Sequence, residues 1–266
     1  SGGSIELDLT GSTKTINGGI FSNGDLKING SDTTVNGAID YRGTFQSNAG
    51  PAVVGAAEKY FGSPKAYPLD LDIAEFRPGG PRQTADPTHY FNAAPGAAID
   101  NGWMVSNGYA TGNTSSIEVT QSGIFYSSNT GNNAIDLSQV SAAPGVTVTF
   151  VSEGEMHITG NANLTGYAPV TAPATGPTYS PVILFSNAGS PPSCNDNAIQ
   201  FSGSNMTWTG LIYAPNGQVQ MSSSSTDATI NGSIIAYSVS ISGSNFEINW
   251  QDDTTAAPRF KVELQS

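Results

Sequence analysis

"TINGGIFS" at residues 15–22 is followed by "TVNGAIDY" at 34–41, and "TINGSIIA" stands at 229–236. A β-branched pair closed by Asn-Gly and then another apolar pair is thus written near both ends of the chain. The first two copies lie nineteen residues apart, counted from Thr15 to Thr34. "SNGDLKINGSD" (22–32) aligns with "IAYSVSISGSN" (235–245), so that Leu26 and Ile28 match Val239 and Ile241. "EMHITGNANL" (155–164) and "QFSGSNMTW" (200–208) belong to the same set. The shared unit is apolar-x-apolar, then Asn, Ser or Thr, then Gly. A repeat of about 20 residues with short alternating strands and Gly/Asn corners reads as a β-solenoid.

Each part of the unit has a physical reason. Side chains alternate inward and outward along a strand, so Ile16, Ile20, Leu26, Ile28 and Val35 point inward and stack on equivalents about 4.8 Å away. Asn-Gly falls where the chain turns, because both residues tolerate positive φ. Asn17 and Asn36 then share a register, and their amides are placed to form a ladder. The phrase is a corner of a structural repeat rather than a binding motif. The expected fold is all-β, a right-handed parallel β-helix of about seven to nine coils with an irregular, partly helical excursion.

Composition agrees. The chain has 266 residues, and only 11% are charged, against about 25% in an average globular domain. Few segments carry the Glu, Lys, Arg, Leu and Ala that helices need. Nine basic residues against twenty-one acidic ones give a net charge of −12, which repels a phosphate backbone, so nucleic acid is excluded as a partner. Cys194 is the one cysteine, so no internal disulfide forms. No apolar run reaches the roughly 20 residues of a membrane span.

The chain divides into first coils at 1–45, an excursion at 46–115 on the side or end of the solenoid, main coils at 116–250 and a cap at 251–266, all in one domain. Within the excursion, Val53–Phe61 is the best helical stretch. "APVTAPATGPTYSP" (168–181) is a surface loop, and "RFKVEL" (259–264) is a final strand or cap.

The stretches "INGGIFSNGDLKINGSDTTVNGAIDYRG" (16–43), "LDIAEFRPGG" (71–80), "GEMHITGN" (154–161), "FSGSNMTWTGLIYAPNGQVQMS" (201–222) and "GSIIAYSVSISGSN" (232–245) together resemble the soluble portions of TadE/TadG-like, tight-adherence pilus-associated exported proteins. A looser similarity is to bactofilin-type polymer-forming solenoids. The resemblance implies a bacterial cell-surface or extracellular structural role, with an N-terminal membrane anchor lying outside this sequence. Expected partners are other envelope or pilus proteins or surface glycans. It supplies no catalytic residue.

Parallel β-helices also bind or degrade polysaccharides, so lyase and glycoside hydrolase chemistry is the alternative. Hydrolysis needs two carboxylates flanking a groove. Asp70 with Asp72, and Glu153 with Glu155 and His157, put acids on one side of a strand. Alternation turns Met156 and Ile158 inward, leaving Glu155 and His157 on a solvated face. A Glu-x-His metal pair here has no third ligand in view. A lyase would draw on Arg42, Arg77, Arg82 or Arg259, and none stands beside an acid cluster in the sequence. Calcium is the one cofactor left open, through Asp25, Asp32, Asp40, Asp70 and Asp72 near turns, although no glycine-rich Asp nonapeptide is present. His89 and Cys194 lack spaced partners and read as structural. Of the recurring aromatics, Tyr109, Phe125, Tyr126, Trp208, Tyr213, Tyr237 and Trp250, core positions are favoured over a glycan-stacking face.

The expected reading is a non-enzymatic surface protein with no catalytic, cofactor or metal site. Glu6, Asp8 and the "QDDTTAAP" stretch (251–258) place charge and proline at both ends of the stack, devices that oppose end-to-end pairing, so a monomer is expected.

Overall fold

The computed structural model describes residues 6–29, 32–47, 57–59, 71–168, 181–191, 196–223, 228–249 and 262–264. The chain is mostly β. Its strands pair in parallel in one continuous sheet, and the one antiparallel pair among them joins Ala110–Gly112 to Ile117–Val119.

Three ladders account for the pairings. The chain visits the first, second and third in turn and then rejoins the first one step further on. Gly123–Ser127, Ile135–Ser138 and Val140–Ala142 make one such circuit. Val148–Ser152, Met156–Thr159 and Ala162–Thr165 make the next, each parallel to its predecessor. The strands Met206–Ser223 and Ala228–Gly243 each run through all three ladders, bending at the corners. Gly123–Ser127, Val182–Ser186 and Phe246–Asn249 are strands in their own right, and residues 211–214 lie within Met206–Ser223.

Alternation then builds the core. In the third ladder Leu164, Trp208, Ile230, Ile248, Ile16 and Val35 stand in line from strand to strand. All six are buried. In the first ladder Phe125 stacks on Phe150 with ring centroids 5.3 Å apart. Ile16, Ile20, Leu26, Ile28 and Val35 are inward, as their spacing predicts.

That line of residues contains the main departure from the expected order. Residues 6–47 do not start the stack. Glu6–Thr10 lies between Ala228–Gly243 and Asp25–Ile28, with Leu7 opposite both Val239 and Leu26. Lys14–Asn17 lies between Phe246–Asn249 and Thr33–Val35. Val262–Leu264 fills the matching place in the first ladder, between residue Ala236 and Ile20–Ser22. Both chain ends therefore contribute to one layer in the interior of the stack. The reason is the edge itself: Phe246–Asn249 would otherwise present unpaired N–H and C=O groups, and the repeated phrase supplies strands that match it.

The asparagines confirm the match. Asn36 Nδ2 donates to Asn17 Oδ1 at 2.7 Å, Asn17 Nδ2 to Asn249 Oδ1 at 2.7 Å, and Asn249 Nδ2 to Asn231 Oδ1 at 3.3 Å. The Asn of all three copies of the phrase thus belongs to one amide ladder. The following glycine is required by close approach: a Cβ at Gly37 would lie 2.2 Å from Gly18 O, and one at Gly232 would lie 2.0 Å from Gly210 O. Turning alone was the expected reason, and at Gly37 it is not the operative one.

Three further expectations change. Glu6–Thr10 and Val262–Leu264 are each paired on both sides, so they are interior strands rather than blunted edges. The excursion at 46–115 contributes ladder strands at Tyr90–Asn92 and Ile99–Asp100. Ala57–Lys59, expected within a helix, is a strand beside Ile39–Tyr41, because pairing at a ladder outweighs a weak helical propensity. The rest of Val53–Phe61 and nearly all of the 168–181 loop lie outside the described residues.

What remains of the excursion covers the stack in two places. Leu71, Ile73 and Phe76, around the short 3-10 turn Ile73–Phe76, pack on the outward side chains Tyr126, Val151, Phe185, Tyr213 and Ile235 of the first ladder. The helix Asn101–Ser106, capped by Asp100 through Trp103 N at 2.7 Å, covers the second and third ladders near Ile99. No helix among the described residues is long and apolar enough to cross a membrane.

Ile16 and Ile248 are far apart in sequence yet adjacent in the core. Ile16→Ala and Ile248→Ala are each expected to cost about 2–4 kcal/mol in urea unfolding. Their combination should depart from additivity by about 0.5 kcal/mol or more. Additive losses would contradict the pairing.

Candidate functional site

The recurring strand endings "FYS" (125–127), "FVS" (150–152) and "LFS" (184–186) set up the polar corner between the first and second ladders. Ser127, Ser152 and Ser186 stand in register, and each is fully buried. Ser186 Oγ donates to Gly154 O at 2.9 Å, and Ser127 Oγ to Ala97 O at 2.8 Å. With the serines turned in, the next residues turn out, and Glu153 comes beside Asn187.

Glu153 is the most heavily engaged acid in this corner. Its Oε1 accepts from Arg77 Nε at 2.6 Å and from Tyr126 OH at 2.9 Å. Its Oε2 accepts from Asn187 Nδ2 at 3.1 Å, and Asn187 Oδ1 accepts from Asn216 Nδ2 at 3.0 Å. The Glu153 side chain is 10% exposed, that of Arg77 52%. Burial acts to raise the Glu153 pKa, but the hydrogen bonds from Arg77 and then Tyr126 outweigh it and hold the carboxyl below its ordinary value. Burial, with Glu153 in support, pushes the Tyr126 hydroxyl up to about 12. A general acid for glycoside cleavage needs the opposite shift.

Beside this corner lies an open concavity of about 470 Å³, lined among others by Asn132, Glu153, Glu155, Asn187, Asp196 and Asn197. Its walls are amides, carboxylates, hydroxyls and glycine backbone. Glu155 Oε1 accepts from Gln200. Asn197 Oδ1 is buried and has no hydrogen-bond donor among the described residues.

The other expected candidates are placed as follows. His157 is outward and lies 3.8 Å from Asp136 Oδ1 on the neighbouring strand. Asp25 Oδ1 accepts from Thr44 N at 2.7 Å, and Asp72 Oδ1 from Ala74 N at 2.9 Å. Asp32 is exposed, and Asp40 and Arg42 lie at the strand Ile39–Tyr41 and its end. Arg82 pairs with Glu75 at 3.1 Å. Among the described residues no three His, Cys, Asp or Glu side chains gather as metal ligands. His89 Nδ1 lies 2.9 Å from Asp86 Oδ1, while Tyr167 OH donates to Asp86 Oδ2. That tyrosine bond, above all, pulls the Asp86 carboxyl down to about 2. The cluster ties 86–89 to the main stack. Phe125, Tyr126, Trp208, Tyr213 and Tyr237 are buried and Tyr109 is half-buried, packed on Phe91 at 4.5 Å. Asp70, Cys194, Arg259 and Trp250 lie outside the described residues.

Two features escaped the sequence. Arg77 does stand beside acid, across 76 residues of chain, a contact that no local spacing encodes. Asn187, Asp196 and Asn197 had no motif, although the shared apolar-x-Ser endings mark the corner that carries Asn187.

A family model described as a domain of unknown function (DUF7305) matches residues 127–256. It includes Glu153, Asn187 and Asn197 of this corner and leaves Arg77, Tyr126 and residues 6–47 outside. No curated protein and no solved structure matches the chain.

The Glu153 shift has a fixed sign. A carboxyl held below its unfolded value adds stability in full above about pH 4.5, and that stability is lost as pH falls through the lowered value. Arg77→Ala removes the donor and leaves a buried carboxylate short of a partner. The expected loss is about 1–3 kcal/mol at pH 7 and smaller at pH 3. Urea unfolding at both pH values checks it, and an equal loss at both would contradict the assignment.

Proposed function

We propose that the three ladders form a right-handed parallel β-helix of seven to nine coils acting as a non-enzymatic structural or adhesive protein of the cell surface. In this reading the chain works in an envelope or pilus setting, with other envelope or pilus proteins or a surface glycan as partner. Right-handedness follows from the crossover rule, which holds for about 98% of parallel connections. The observation that carries the non-enzymatic reading is the state of Glu153. Three donors occupy its carboxylate, and its pKa is held down, so it is a brace for the 71–77 segment rather than an acid or base. Asp25, Asp72, Asp86 and Asp100 likewise brace backbone or neighbouring side chains.

The concavity favours a second reading, binding or cleavage of a polysaccharide. Amides, carboxylates and the orphan Asn197 oxygen suit the hydroxyls of a neutral sugar, whereas the net charge of −12 disfavours uronates.

A glycan array run beside reducing-sugar and 4,5-unsaturated-product assays separates the two. The expected result is no turnover on neutral or acidic polysaccharides, with any glycan binding confined to neutral sugars and weakened at least tenfold by Asn132→Ala. Turnover abolished by Glu155→Ala would establish the enzyme reading instead.

A further inference from the structure

Residues 6–47 are held to the rest of the stack by contacts that cross almost the whole sequence. Four consecutive pairs join Glu6–Thr10 to Ala228–Gly243, from Leu7 opposite Val239 to Thr10 opposite Ser242. Four more join Lys14–Asn17 to Phe246–Asn249, from Lys14 opposite Phe246 to Asn17 opposite Asn249. Leu9 and Ile16 are buried in the seam. Lys14 is buried too, 1% exposed, and its Nζ donates to Gly243 O at 2.8 Å. Asn17 Nδ2 reaches both Asn249 Oδ1 and Glu247 Oε1.

This seam is specific as well as extensive. A slip of one residue would turn Leu9 and Ile16 outward and carry Lys14 away from Gly243 O. It is also free of any requirement that donor and acceptor belong to one chain. The unit's sequence continuation, Ala57–Lys59, pairs with Ile39–Tyr41 on the side away from the seam, and residues 60–70 connect it to Leu71. The acceptor strands fall within the matched family region and the donor strands outside it.

We propose that residues 6–47 are a donor unit that a second copy of this chain can accept, with Glu6–Thr10 and Lys14–Asn17 of one copy on Ala228–Gly243 and Phe246–Asn249 of the next. Main-chain hydrogen bonds supply the affinity of such strand addition, and the alternating side chains supply its register. Donor and acceptor surfaces differ, so the contact is heterologous and yields a ring or an open chain of molecules. Within one molecule a tethered unit meets its own acceptor at an effective concentration of about 1 mM. Dilute chains therefore close on themselves, and exchange needs chains that fold crowded together. The proposal extends the structural role above to a mode of assembly, and it does not depend on whether a glycan is bound.

The test uses the full chain with Cys194→Ser, Thr15→Cys and Glu247→Cys. Thr15 and Glu247 are register partners on the half-exposed outer face, about 5 Å apart as neighbouring strands, within disulfide reach. A second pair on the adjoining ladder, Asp8→Cys with Ser240→Cys, guards against failure of the first variant to fold. Equal amounts of isotopically heavy and light protein are refolded together at about 10 µM and about 1 mM, oxidised and analysed by non-reducing electrophoresis and peptide mass spectrometry. The expected outcome is intramolecular 15–247 disulfide at the lower concentration, and at least a tenfold larger share of heavy-light 15–247 linkage at the higher. Intramolecular linkage alone at both concentrations overturns the proposal. So do heavy-light linkages that join 15 to 15 as often as 15 to 247, and so does the absence of both disulfides in both pairs. Glycan binding is unaffected by any of these results, so failure here leaves the structural reading to its own test.

Discussion

A stack of parallel strands leaves one row of backbone N–H and C=O groups without partners at each end, and those rows attract any strand that fits them. In this protein the row left by Ala228–Gly243 and Phe246–Asn249 is taken up by residues 6–17. Much else depends on that closure. The repeated phrase exists because its copies sit in one register, Asn231, Asn249, Asn17 and Asn36 forming a single line of amides. The inward row from Leu164 to Val35 is continuous across the same seam, so the core does not notice that the chain has changed ends. Val262–Leu264 completes the layer in the first ladder.

Closure also dictates the path of the rest. A chain that begins its stack beside its own C-terminal strands must cross to the other end before the long ascent through residues 117–249. The part of that crossing at 71–76 lies on the outer side of the first ladder, which is apolar where other outer faces carry Thr, Ser, Asn and Gln. Phe76 meets Phe185 edge-on at 5.5 Å, and Tyr90 OH donates to Phe76 O at 2.6 Å. At its end Arg77 grips Glu153. Burial alone would favour the neutral acid there, but donors on both oxygens win, and the carboxylate stays charged. An isolated buried carboxylate would be costly, whereas this one is paired and hydrogen-bonded, the condition under which burial is tolerated.

The repeat and its inward residues were legible because they are local. Apolar alternation over four residues and a nineteen-residue recurrence need no knowledge of the far end of the chain. The burial of Ile16, Ile20, Leu26, Ile28 and Val35 follows directly. The order of the layers was not legible, since the alignment of Leu26 with Val239 says that they occupy equivalent places, not that Leu7 stands between them. The same limit hid the Arg77–Glu153 pair and placed Glu6 and Asp8 at an edge they do not occupy. Ala57–Lys59 failed for another reason, as composition favoured a helix and strand pairing decided otherwise. The groove around Asn187 and Asn197 is built from residues without any motif, brought together by stacking alone.

Ile16 lies between Ile248 on one side and Val35 on the other. At 27.4 kDa the protein is open to methyl-labelled nuclear magnetic resonance, and a methyl–methyl NOE spectrum reads the contact directly. NOEs are expected from the Ile16 methyls to both Ile248 and Val35, with Leu9 in contact with Ile241 and Ile28 in the same spectrum. Ile16 and Leu9 contacts confined to Val35 and Ile28, with none to Ile248 or Ile241, would contradict it.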